Sequence, residues 1–80
     1  MKEKNRKKID EVIFKLNELH SFFKTWEEVA FQISLFRSED IILETALLRD
    51  WRRKKFFPSQ KNLEAIEKLY STIKGKQTLQ

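Results

Sequence analysis

The chain predicts an all-α fold, a single compact domain of about four helices, and three observations lead there. Apolar residues recur at spacings of three and four through most of the 80 residues. One glycine and one proline leave few points at which the chain can turn sharply. Lys, Glu, Leu and Ile are abundant and favour helix. A chain this short has room for one core, and seven Phe, two Trp and one Tyr give that core its bulk. There is no cysteine, so no disulfide can staple it.

The first helix is expected from Lys7 to about Phe23. Ile9, Val12, Ile13, Leu16, Leu19, Phe22 and Phe23 mark its apolar face, and Asp10 and Glu11 near its start suit the helix dipole. Residues 1–6 have no apolar partner and read as a flexible basic arm. Thr25-Trp26-Glu27-Glu28 matches a capping box and predicts a second helix that buries Val29, Ala30, Ile33 and either Leu35 or Phe36. Ser38, followed by Glu39 and Asp40, predicts the N-cap of a third helix running to about Lys55. Its apolar set Ile41, Ile42, Leu43, Ala46, Leu47, Leu48 and Trp51 is broad enough to make it the most buried helix. Pro58 stops it, and Ser59 caps a fourth helix carrying Leu63, Ile66, Leu69, Tyr70 and Ile73. Gly75 offers a left-handed stop, giving a helical domain over 7–75 and a frayed tail over 76–80.

Charge is segregated. Residues 1–8 carry five cations against one acid, and residues 49–55 again carry five against one. Residues 9–48, between them, hold eight acids against three cations. A net charge of +5 arranged as two cationic islands points to surfaces that meet a polyanion. The dipole at a helix C-terminus accounts for one or two cations, at ~0.3 to 1 kcal/mol each, but not for a run of five.

Enzyme chemistry is not expected. There is no glycine-rich phosphate loop and no nucleophile and base arrangement. Glu27 and Glu28, adjacent on a helix, point about 100° apart. His20 stands alone, without the Cys, His or acid partners of a metal site. No cofactor or metal is implied. No apolar run approaches the ~20 residues that cross a bilayer, and the amino terminus lacks a secretory pattern. The expectation is a cytoplasmic protein with no membrane partner.

Trp51-Arg52-Arg53-Lys54-Lys55-Phe56-Phe57-Pro58-Ser59 joins a core anchor to a cationic surface. Leu48 lies three residues before Trp51 and Pro58 seven after it, with Ser59, Asn62, Leu63, Ile66 and Leu69 following. In this order the segment from Thr45 to Leu69 resembles the carboxy-terminal half of the Cro/phage-repressor helix-turn-helix family. Thr25-Trp26-Glu27-Glu28-Val29-Ala30 is similar to the opening of that family's second helix. Two departures stand out: Lys54 occupies the position where the family has a glycine, and 21 residues separate Ala30 from Trp51 where the family has about a dozen. The resemblance implies a helix-turn-helix-like domain with an enlarged connection between helices 2 and 3.

The function expected is that of a small DNA-binding protein, a transcriptional regulator. Thr45, Arg49, Arg52 and Arg53 would sit at or near the groove, and Lys54, Lys55, Lys7 and Lys8 would contact phosphate. Nothing in the sequence separates RNA from DNA. One small module reads few bases, so a homodimer is expected. The alternative is a protein-interaction module, an adaptor or inhibitor docking a partner through its apolar third helix and Trp51, Phe56 and Phe57 with their flanking cations.

Overall fold

The computed structural model describes residues 3–37 and 41–78, with side chains over 6–37 and 41–75. Four helices follow in order: α1 (Glu3–Phe23), α2 (Trp26–Leu35), α3 (Thr45–Arg52) and α4 (Gln60–Thr78). No strand occurs among the described residues. α2, α3 and α4 each pack on α1, and α2 also lies against α3 and α4, so α1 is the post around which the others are arranged. The radius of gyration is 12.2 Å, close to the ~12 Å expected of a compact chain of this length.

The core is the sum of the apolar stripes. α1 contributes Ile9, Val12, Leu16 and Leu19, α2 Val29, Ala30 and Ile33, α3 Leu48 and Trp51, and α4 Ala65, Ile66, Leu69 and Ile73. Trp51 is 2% exposed, so the aromatic of the Trp-to-Ser59 segment closes the core. Ile13, Phe23, Trp26, Phe57 and Leu63 pack around its edge.

α1 reaches back to Glu3, ahead of the expected start at Lys7. Nothing in residues 3–6 breaks a helix, so that part of the expected arm extends it; residues 1 and 2 lie outside the described residues. Its other end closes on Lys24, whose φ of 79° puts it in the left-handed region while its N–H donates to the His20 carbonyl at 2.7 Å. At the start of α2 the Thr25 hydroxyl accepts from the Glu28 N–H at 3.2 Å. The Glu28 carboxylate accepts from Gln32 at 2.9 Å, so the reciprocal arm of the capping box is replaced by a bond one turn along the helix. Leu35 and Phe36 stay exposed, and Ser34 takes the buried position instead.

The third helix corrects the sequence reading most. It begins at Thr45, not at Glu39, because Leu43 is held in another arrangement: its N–H donates to the Ser34 hydroxyl at 2.8 Å. The same hydroxyl donates to the Ala30 carbonyl at 2.7 Å, so one buried serine fixes both the end of α2 and the approach to α3. Glu44, extended at φ −81° and ψ 144°, is the N-cap, with no side-chain capping bond. The expected cap at Ser38 lies outside the described residues. α3 is also not the most buried helix: of its expected apolar set Ile41, Ile42 and Leu47 are exposed, Leu43 is buried but lies ahead of the helix, and within α3 only Leu48 and Trp51 are buried. β-Branched Ile41 and Ile42 suit an extended approach better than a helix interior.

The exit from α3 is a complete Schellman turn. The Lys54 N–H reaches the Trp51 carbonyl at 3.1 Å and the Lys55 N–H the Asp50 carbonyl at 2.9 Å, with Lys54 left-handed at φ 61°. Pro58 is buried, and Ser59 opens α4 through its carbonyl, which accepts from Leu63 at 2.9 Å. Gly75 does not stop that helix; it sits inside it, and no glycine has positive φ.

Candidate nucleic-acid interface

α3 has two sides. Leu48 and Trp51 face the core, and the stripe Thr45, Arg49, Arg53, spaced by four, runs along the other side to the C-cap. Thr45 is half-buried in the first turn, whereas Arg49 and Arg53 are exposed. Arg49 Nε lies 3.6 Å from the carboxylate of Asp50, whose side chain is largely buried. That loose pair restrains the guanidinium without enclosing it.

Arg52 is held differently. Its guanidinium lies 3.8 Å from the centroid of the Trp26 ring, and His20 stacks with the same ring at 4.3 Å and 25°. Histidine, tryptophan and arginine from the end of α1, the start of α2 and the end of α3 thus form one column. Stacking occupies the face of a guanidinium and leaves its edge to donate. Arg52 Nε is buried with no hydrogen-bond partner among the described residues. Burial pulls the Arg52 pKa below its ordinary value, and repulsion from Arg53 and then Arg49 adds to the shift. The group stays charged, since arginine keeps its proton across the working range.

Lys54 links the two cationic islands. Its ammonium lies 3.1 Å from the Asp10 carboxylate, both ends exposed, and Arg6, Ile9, Asp10 and Lys54 line a common groove. An exposed pair of this kind contributes ~0 to 1 kcal/mol, so its meaning is positional: the first turns of α1 stand beside the exit of α3. Lys55 is exposed, 5.7 Å from the ring of Phe56. Lys7 is exposed on α1. Lys8, two residues round the helix from Arg6, lines the groove between α1 and α4 with Glu11, Gln60 and Glu67, away from Lys54. Of the expected residues, Thr45, Arg49, Arg52, Arg53, Lys54 and Lys55 gather on or just after α3, and Lys8 stands apart from them.

Sequence reasoning did not single out Arg6 as a partner of Lys54, or Trp26 as the platform under Arg52. No spacing could have found the second, because the two residues meet only through the packing of α2 on α3. Ile41, Ile42 and Leu47, from the apolar set expected in the third helix, are exposed, Ile41 at 72%. So are Phe31, Leu35 and Phe36, of which sequence reasoning places either Leu35 or Phe36 in the core and does not single out Phe31. No helix among the described residues is long and apolar enough to cross a membrane. No family model matches the chain, and neither does any curated protein or solved structure.

Proposed function

We propose that the chain is a small DNA-binding protein of the transcriptional-regulator kind, gripping duplex DNA with α3 and the basic turn that follows it. The observation that carries this reading is the stripe of half-buried Thr45 and exposed Arg49 and Arg53, continuous with Lys54 and Lys55 and flanked by Arg6 of α1. A two-turn helix with a C-cap arginine is about 12 Å long, which covers roughly three to four base steps at ~3.4 Å each. Arg49 and Arg53 suit bidentate bonds to guanine or phosphate, and Lys54, Lys55 and Lys7 supply phosphate contacts. Three arginines crowded at one helix end repel one another, and an anion relieves that repulsion. A homodimer gives such a short reading surface the second half-site it needs. Selection from a random duplex pool at ~150 mM salt tests the reading: a recovered consensus of short half-sites supports it, and no enrichment overturns it.

A second reading is favoured by the exposed face of Phe31, Leu35, Phe36, Ile41, Ile42 and Leu47. Large apolar side chains left in solvent in this number mark a protein contact, and they do not include Trp51, which is core, or Phe57, which packs against it. Sedimentation of wild type against Ile42→Lys checks it. A self-association that the substitution removes assigns the face to a second copy; a monomer in both cases leaves it to another protein, to be sought by pull-down from a nuclease-treated lysate.

A further inference from the structure

Phe56 is a large aromatic that the fold declines to bury. It is 53% exposed, while Phe57 beside it packs against the core and Pro58 is buried. On its other side the chain is fixed by the Lys55 N–H bond to the Asp50 carbonyl at 2.9 Å. Anchored on both flanks, the ring is held out at the tip of the turn, not left on a loose loop. Its neighbours before it are Arg53, Lys54 and Lys55, all exposed cations, the last with its ammonium 5.7 Å from the ring.

We infer that Phe56 is a base-stacking site: it takes the face of an unstacked nucleobase whose flanking phosphates meet Arg53, Lys54 and Lys55. The inference rests on the nucleic-acid reading above and adds to it a contact that is neither groove readout nor phosphate neutralisation. Every base has a π-face, and proteins that combine a cationic track with a projecting aromatic use it to hold bases out of the stack or to wedge a duplex step open. A nucleic acid satisfies the ring and the cations at adjacent positions, a base beside its own phosphates; an anionic bilayer engages both as well, and the vesicle arm of the test separates the two. The unstacked base comes either from a single strand or from a flexible step of a duplex, such as TA.

The test titrates wild type, Phe56→Ala and Phe56→Trp into an oligonucleotide carrying 2-aminopurine, once as a single strand and once as a duplex with the probe at a TA step. Because Phe56 lies outside the core, the variants keep the wild-type circular dichroism. The inference predicts that binding changes the probe's emission in at least one of the two forms. It predicts that Phe56→Ala loses that change and weakens affinity about 5- to 100-fold, that Phe56→Trp retains both, and that the salt slope is the same for all three. The form in which the change occurs identifies the source of the base. Affinity and emission unaltered in Phe56→Ala overturn the stacking site while leaving DNA binding intact. Absence of nucleic-acid binding by wild type overturns both readings, and binding of the wild type to phosphatidylserine vesicles instead, lost in Phe56→Ala, reassigns the ring to a membrane surface.

Discussion

Single residues set the turns of this molecule, and two lysines do so at a cost. Lys24 and Lys54 occupy the left-handed region, at φ 79° and 61°, where a side chain is disfavoured by roughly 1 to 2 kcal/mol. Lys24→Gly should therefore stabilise the fold by about 0.5 to 1 kcal/mol, read as a rise in Tm, with no effect on nucleic-acid binding. Lys54 is the more informative case. It takes a left-handed backbone that a glycine would hold without strain, and adds a cation beside Asp10 and Arg6. Ser34 works in the opposite direction. Its hydroxyl both donates to Ala30 and accepts from Leu43, so Ser34→Ala strands a buried N–H and should cost about 1 to 3 kcal/mol in chemical denaturation.

At the scale of the helices, the sequence spoke clearly where burial and periodicity coincide. The stripes of α1 and α4, except Phe22, which is exposed, the Thr25 and Ser59 boundaries and the core role of Trp51 could all be read, because each depends on local spacing. The start of α3 could not. Its apolar run suggested a long buried helix, but Leu43 is claimed by a serine nine residues earlier, a contact with no local signature. Gly75 misled for a related reason: a glycine near a helix end suggests a stop, yet here the helix continues and a Cβ would meet nothing within 4 Å. Gly75→Ala should then raise stability by up to about 0.5 to 1 kcal/mol. α1 and α4 are also joined by the Lys74 ammonium, 3.0 Å from Glu18. That hydrogen bond, the largest influence on it, raises the Lys74 pKa. Its contribution is complete below the ordinary lysine range and is lost as pH climbs through the raised value. Wild type and Glu18→Gln should differ in Tm at neutral pH and converge in strong alkali.

The whole molecule joins what the sequence keeps apart. The two cationic islands lie some forty residues from each other in the chain, at 1–8 and 49–55, and the packing of α1 on α3 sets Arg6 next to Lys54. Which cations fall on that side and which do not, Lys8 among the latter, depends on the rotation of α1 about its axis and could not be read from composition. The central claim is that this combined surface neutralises several phosphates at once. Affinity for duplex DNA measured across a range of salt concentrations tests it most directly. About five phosphate contacts predict that log K falls against log salt with a slope near −4 or −5. A slope near zero would contradict the claim.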